Sequence, residues 1–201
     1  MQRNQIVVSI AKSKAFPFIA SAGFVCAAAI SVATSHARDL AGVTMPEKVS
    51  VSGKQLRLNG MGIGTKGFFK VYVIALYLET PTSDARVAIK ADEVKRIVLT
   101  MLRDVSREKF VQAVEKDMMQ NPAVPIAALR GRLDLLESVL PALKRGNVLD
   151  FTHLPVRGTL VRGQGREITI PGKDFADALF SIWLSGQSSN PALQHQLLGG
   201  A

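Results

Sequence analysis

Glycine spacing gives the first candidate for chemistry in this chain of 201 residues. Gly62, Gly64 and Gly67 match the spacing of a dinucleotide-binding loop. That loop requires a helix to begin directly after the glycines, so that its N-terminus can hold the pyrophosphate. Here an apolar and β-branched segment follows, which predicts a strand. We therefore predict no nucleotide site and interpret the glycines as marking a bulged or closely approached strand.

Tyr72 is a second candidate, because it brings a hydroxyl group to an apolar strand. Residues 68–78 are almost continuously apolar, which predicts a strand covered on both faces. Alternation places Tyr72 on the same face as Phe68 and Lys70. Lys70 and Tyr72 would then put two polar groups into an otherwise apolar space. The alternative is a core tyrosine whose hydroxyl is satisfied.

Asp117 is a third candidate, a carboxylate on the apolar stripe of a predicted helix. It follows Phe110 by two helical turns, so both side chains project from the same side, near Val114 and Met118. In that position Asp117 could line a cavity. Alternatively, it lies close to the helix end at Pro122 and reaches water.

Metal and thiol chemistry find no support in the residue pattern. His153 and His195 have no second ligand at a metal-binding spacing, so we predict no metal site and no cofactor. The single cysteine, Cys26, lies in the apolar amino-terminal segment, which leaves the rest of the chain without disulfides or thiol catalysis.

Apolar periodicity predicts the elements that position these residues. A hairpin is expected over residues 49–58, and further strands are expected over 68–78, 95–102, 149–154, 159–162 and 166–170. The predicted helices cover 83–93, 106–121, 125–141 and 173–184. Strands, a block of helices, more strands and a last helix indicate an α+β fold, with an antiparallel sheet and helices packed on one face.

The amino-terminal segment has the pattern of a secretory signal peptide. Arg3, Lys12 and Lys14 precede an apolar run over residues 15–33, and the small residues Ser35 and Ala37 follow it. We therefore predict a signal peptide over 1–37, one domain over 38–201, and a periplasmic or secreted protein. The alternative is a retained membrane anchor, since an apolar run of about 18 residues can span a bilayer.

The formal charge of +9 raises the question of a polyanionic partner. The basic residues are scattered rather than clustered, and an exported protein is a poor candidate for binding nucleic acid, so we predict no nucleic-acid partner. Contact with an anionic membrane surface is an alternative to a simple solvated basic surface.

Three segments of the chain resemble the chalcone isomerase-like family: LNGMGIGTKGFFKVYVIALYLE (58–79), TMLRDVSREKFVQAVEKD (100–117) and IPGKDFADALFSIWLSG (170–186). The resemblance is to the exported bacterial branch in particular. It implies an open sandwich, a sheet with helices packed against it, and a cleft for an apolar ligand between them. Plant members cyclise chalcones, others bind fatty acids in plastids, and still others have no known catalysis.

The resemblance places the family's catalytic positions on residues of different chemistry in this chain. The arginine and threonine of the plant enzymes fall on Gly64 and Tyr72, the tyrosine and asparagine on Phe110 and Asp117, and a threonine or serine on Ile182. Cyclisation needs hydrogen-bond donors that stabilise a developing anion. Gly64 and Phe110 remove two of them, and Asp117 adds negative charge, so chalcone cyclisation is not expected. The same arginine holds the carboxylate in the fatty-acid-binding relatives.

Three hypotheses for the function follow. The first is a non-catalytic binding or scaffolding protein of the cell envelope with an apolar, fatty-acid-like ligand. The second is an isomerase or intramolecular lyase that uses Tyr72 and Asp117 in a rearranged site. The third is a structural partner of another envelope protein, with a cleft filled by its own side chains.

Overall fold

An antiparallel sheet of seven strands organises the chain. The computed structural model describes residues 36–122, 124–186 and 188–200. A small two-stranded sheet, β1 (Ala37–Leu40) and β2 (Val43–Pro46), comes first. The strands of the large sheet are β3 (Lys48–Val51), β4 (Lys54–Lys66), β5 (Phe69–Leu78), β6 (Lys95–Met101), β7 (Val148–Leu154), β8 (Gly158–Gly163) and β9 (Arg166–Ile170). They lie side by side in chain order, as a meander.

The predicted signal peptide, residues 1–37, lies outside the described residues except for His36 and Ala37. Strand β1 begins at Ala37, directly before the predicted cleavage position.

Five helices accompany the sheet in the described part of the chain: α1 (Ala85–Lys90), α2 (Arg107–Met119), α3 (Ile126–Val139), α4 (Lys173–Leu184) and α5 (Pro191–Leu197). Side-chain caps fix three of the starts. The Asp84 carboxylate accepts from the backbone N–H of Arg86 and Val87, and the Ser106 hydroxyl accepts from that of Lys109. Asn190 caps α5 in the same way, and Pro191 occupies its first turn.

The helices cover one face of the sheet, with α4 at the centre. Helix α4 contacts α1, α2, α5 and β8, and nine of its twelve residues are buried. Helix α3 packs against β9 and α2. Because α4 is surrounded by protein, it is apolar around most of its circumference rather than along one stripe. This layer contains the larger hydrophobic core.

A smaller core lies on the opposite face of the sheet. Met45, Val73, Tyr77 and Val98 belong to it, and Leu40 and Val43 of the β1–β2 hairpin pack against it. Tyr77 is buried there and donates its hydroxyl proton to the Pro46 carbonyl (3.0 Å). The β1–β2 hairpin therefore covers part of the face that carries no helices.

The predicted fold class is confirmed: the protein is α+β, with an antiparallel sheet and helices on one face. All the predicted strands and helices are present. The hairpin β1–β2 and the short helix α5 were not predicted, because each is only a few residues long. Phe68 lies in a turn rather than in β5, and the glycine-rich segment is one long strand, β4.

Two register shifts interrupt the pairing of β4 with β5. Between Leu58 and Gly60 the extra residue is Asn59 on β4, and opposite Gly64 and Thr65 the extra residue is Val71 on β5. Each bulge reverses the alternation of side chains beyond it. As a result, Gly60, Gly62 and Gly64 all lie on the helix-covered face of β4, opposite Leu76, Ile74 and Tyr72.

Helix α5 lies directly on this glycine row. A Cβ atom at Gly60 would overlap the carbonyl groups of Gln196 and Leu197, and one at Gly62 would overlap the side chains of Leu193 and Gln196. Asn59 ties the two elements together, because its side-chain amide donates to the Leu197 carbonyl (2.8 Å). The interpretation of the glycines as a bulged, closely approached strand is confirmed.

Candidate functional site

Gly64 and Tyr72 form the centre of the candidate site. They are directly opposite each other on β4 and β5. A Cβ atom at Gly64 would overlap the Tyr72 ring, so the ring lies over the bare backbone of the glycine. A large aromatic side chain beside a strand glycine covers the gap that the glycine leaves. The two residue types therefore depend on each other.

Trp183 fixes the position of the Tyr72 hydroxyl. Its indole Nε1–H donates to the Tyr72 oxygen (2.9 Å). Trp183 is buried on α4, with its ring 6.2 Å from that of Phe151. Burial raises the pKa of the Tyr72 hydroxyl, the bond from Trp183 opposes this, and the Asp117 charge adds to it. Tyr72 therefore stays protonated at neutral pH, and its hydroxyl proton can be donated to a ligand.

Asp117 lies at the edge of this site. It is partly buried on α2, and desolvation raises the pKa of its carboxyl group while the Lys116 charge opposes the increase. The charge of Asp117 acts on Tyr72 and adds to the increase in the pKa of its hydroxyl. Asp117 is partly open to water, as one of the two sequence alternatives expects, and its lining of a cavity stays a prediction.

Phe110 and Ile182 supply carbon surface only. Both are buried in the larger core, Phe110 on α2 and Ile182 on α4, and these two helices pack on each other. Val114 and Met118 continue the same apolar side of α2. No group at these positions can donate a hydrogen bond to a developing negative charge.

Lys70 does not belong to the site. The sequence interpretation put it on the same face as Tyr72, but its side chain is exposed. The reason is the bulge at Val71, which lies between the two residues and breaks their alternation. Phe68, expected on that face as well, lies in the turn and is fully exposed.

We call Gly64, Tyr72, Phe110, Asp117, Ile182 and Trp183 the Tyr72 cluster. Gly64, Tyr72 and Trp183 are in direct contact, Phe110 and Ile182 belong to the same large core, and Asp117 acts on Tyr72 through its charge. Sequence reasoning placed Trp183 in the core but missed its bond to Tyr72. The available signal was its position beside Ile182 on the last helix, together with the tendency of a buried indole N–H to find an acceptor.

A second polar group, which the sequence did not reveal, lies at the far end of the sheet. Lys95 on β6 is buried, and its ammonium group donates to the carbonyls of Ala88 (3.1 Å), Ala91 (3.2 Å) and Ile89. Burial and the charge of Lys173 lower its pKa to about 8, although Asp177, 4.0 Å away, opposes the change. Lys95 thus ties the carboxyl end of α1 to the sheet.

His153 and Thr159 lie next to Lys95 on the neighbouring strands of the sheet. They pair across β7 and β8, and His153 pairs with Lys95 across β6 and β7. The His153 Nε2 atom lies 3.0 Å from the Asp92 carboxylate, and burial lowers the pKa of the ring. Within the described residues, His153 Nδ1 and Thr159 Oγ1 are buried without a hydrogen-bond partner.

Two surface grooves lie apart from the Tyr72 cluster. One, of about 320 Å³, is bordered by α1, α4 and the connection between α2 and α3. The other, of about 520 Å³, is lined by residues that include Glu79, Asp92 and Arg157. Neither groove includes a residue of the Tyr72 cluster. The ligand cleft that the family resemblance implies is therefore not one of these two grooves.

The described residues contain neither a metal-ligand cluster nor a membrane-spanning helix. Among residues 36–122, 124–186 and 188–200, no three His, Cys, Asp or Glu side chains lie close enough to hold a metal ion. In the same ranges, no helix has both the length and the apolar composition needed to cross a bilayer.

These features define an α+β protein whose antiparallel sheet is covered by helices on one face, with a hydrogen-bonded aromatic pair, Tyr72 and Trp183, between sheet and helices. A family model described as chalcone isomerase-like matches residues 37–199. The chain therefore belongs to the chalcone isomerase-like family, as its sequence segments indicated. No curated protein sequence matches it.

A solved structure supports the fold. The fatty-acid binding protein AtFAP1 of Arabidopsis thaliana superposes with a TM-score of 0.64, at 13% sequence identity. The match covers 82% of this chain and 96% of that one. At this identity the likeness shows that the two proteins share a fold.

Proposed function

We propose that this protein binds a neutral, apolar small molecule at the Tyr72 cluster without transforming it. The observation that carries the proposal is the Tyr72 ring over Gly64, with its hydroxyl held by Trp183. This arrangement places one hydrogen-bond donor against the apolar side chains of the larger core. The family membership and the likeness to a fatty-acid binding protein support a ligand of apolar character.

The electrostatics of the cluster favour a neutral head group. By the family resemblance, Gly64 occupies the position of the arginine that would pair with a carboxylate. Asp117 instead brings negative charge to the edge of the site and would repel a second anion. An alcohol or a quinone-like carbonyl can accept the Tyr72 proton without that penalty.

Burial of an alkyl chain would supply the affinity. Each buried methylene contributes about 0.8 kcal/mol, so ten of them supply roughly 8 kcal/mol before the cost of immobilising the chain. Several kcal/mol are lost in that step. We therefore expect binding at micromolar level or weaker.

A titration of matched ligands tests the proposal. A fatty acid and its alcohol are titrated into the wild type, Tyr72→Thr and the double variant Gly64→Arg/Tyr72→Thr. The arginine is introduced only together with Tyr72→Thr, because the tyrosine ring occupies its space. We expect the alcohol to bind the wild type at least as well as the acid, and the double variant to prefer the acid.

The outcomes separate the hypotheses. Much tighter binding of the acid by the wild type, with no gain in the double variant, would contradict the proposed pocket. Binding by Tyr72→Thr alone, with none by the wild type, would favour the structural partner whose cleft its own side chains fill. Melting temperatures of all three proteins control for loss of fold.

Asp117, with its raised pKa beside Tyr72, is the one observation that favours an enzyme. A carboxyl group of this kind can act in proton transfer. The raised pKa of Tyr72, however, keeps the hydroxyl neutral and makes it a poor base. Saturable cyclisation of a hydroxychalcone that Tyr72→Phe abolishes would favour the enzyme over the binding protein.

We also propose that the protein is exported, as in the bacterial branch of the family, with residues 1–37 removed as a signal peptide. The order of basic, apolar and small residues supports this. Amino-terminal sequencing of native protein should give Arg38, within a residue or two. Intact Met1 in the membrane fraction would instead show a retained anchor.

A further inference from the structure

The turn between β4 and β5 exposes two adjacent aromatic side chains. Lys66 pairs with Phe69, and Gly67 and Phe68 form the two-residue turn between them. Gly67 has φ +58°, the positive value that a hairpin turn of type II′ requires at its first central position. Phe68 is left at the second position with its ring fully in solvent, and Phe69 is 63% exposed.

These two rings are exceptional in the protein. The other phenylalanines in the described ranges, Phe110, Phe151, Phe175 and Phe180, are all buried. Exposed aromatic surface is costly in water, and adjacent rings at the end of a hairpin mark an interaction site rather than scattered surface residues.

Three cations surround the rings. Lys66 and Lys70 flank the turn in sequence, and the Arg103 guanidinium lies 4.7 Å from the centre of the Phe69 ring. Within the described part of the chain, none of the three has a carboxylate within 4.0 Å. Their charge is therefore available to an anionic partner.

We propose that this tip docks on an anionic lipid surface, with Phe68 and Phe69 inserted at the headgroup level and the three cations against lipid phosphates. Aromatic rings with flanking Lys and Arg are the combination that binds such an interface. The shape of the tip favours lipid over protein. A two-residue turn is convex and narrow, whereas a stable protein interface buries on the order of 1,000 Å² or more.

Binding to vesicles tests the proposal. The full chain is sedimented with phosphatidylcholine vesicles with and without phosphatidylglycerol. The test variants are Phe68→Ser/Phe69→Ser and Lys66→Gln/Lys70→Gln. Val156→Ser is a matched control, because Val156 is equally exposed in the β7–β8 turn at the opposite end of the sheet.

We expect preference for the anionic vesicles, weakened by salt. Each removed cation should cost about fivefold in affinity, and the loss of both rings at least tenfold. Val156→Ser should bind as the wild type does. Equal binding by the wild type and the Phe68→Ser/Phe69→Ser variant would overturn the proposal.

The apolar amino-terminal segment is common to all these variants, so a readout specific to the tip is needed. A second measurement therefore detects insertion of the tip itself. An environment-sensitive dye is attached to Phe68→Cys or to Val156→Cys, each in a Cys26→Ser background. Anionic vesicles should shift the emission of the dye at position 68 to shorter wavelength and leave that at position 156 unchanged. No shift at position 68 would refute the proposal.

Self-association without lipid that depends on Phe68 and Phe69 would also refute it and would assign the tip to a second copy of the chain.

Discussion

Gly64 and Tyr72 show how the residue at one position restricts which residue types fit at another. A side chain on Gly64 would occupy the volume of the Tyr72 ring. By the family resemblance, the plant enzymes have arginine and threonine at these two positions. An arginine at position 64 therefore fits only where the tyrosine ring at position 72 is absent, whereas a smaller residue at position 72 is compatible with Gly64.

Lys95 makes the stability of the protein depend on pH. Its pKa is lowered from the ordinary lysine value of 10.5 to about 8 in the folded state. Between these values the unfolded chain binds more protons than the folded chain, so the free energy of unfolding rises as the pH increases from 8 to 10.5. Below pH 8 both states hold the proton and the contribution is constant. The full rise is on the order of 3 kcal/mol.

Urea unfolding between pH 7.5 and 10.5 measures this effect. Lys95→Met should remove the rise. Lys90→Met is the matched control, because Lys90 pairs with the same Asp177 but is exposed, and the rise should persist in it. An undiminished rise in Lys95→Met would show that another group is responsible.

At the scale of elements, the contact between β4 and α5 depends on glycines that have no side chain. A methyl group at Gly60 would displace the end of α5, so Gly60→Ala should lower the free energy of unfolding by about 1–3 kcal/mol. Gly131 provides the control. It lies within α3 with open space where its Cβ would be, so Gly131→Ala should raise stability by about 0.5–1 kcal/mol.

Thermal or urea unfolding of the two alanine variants measures this difference. The test is that the free energy of unfolding changes in opposite directions in the two variants, rather than the size of either change. If Gly60→Ala were as stable as the wild type, α5 would not be fixed on β4 as described.

The elements also show where sequence reasoning reaches its limit. Periodicity predicted the strands and helices of the large core, because a long apolar pattern outweighs local exceptions. It failed at Lys70, since the single extra residue Val71 reverses the alternation, and nothing in the sequence marks that bulge. It also missed α5, where seven residues are too few to show a clear stripe.

At the scale of the whole molecule, the α+β class followed from pattern, and the family from three segments and later from the match over residues 37–199. The candidate site was predicted in part. The charge of Asp117 acts on Tyr72, but how closely two side chains on different elements approach depends on strand register and helix packing. The bond between Tyr72 and Trp183 joins residues 111 positions apart, a distance over which sequence periodicity carries no information.

The bond between Asn59 and Leu197 has a consequence for how the protein is made. It joins residues 138 positions apart, whereas every pairing within the large sheet connects strands that follow each other in the chain. Neighbouring strands can pair while the chain is still being synthesised, because all of them precede α5 in the chain. Gly60 and Gly62 of β4, however, are covered only by α5. A nascent chain that has not reached Pro191 therefore carries an open stretch of β4 backbone, and completion of this layer waits for α5.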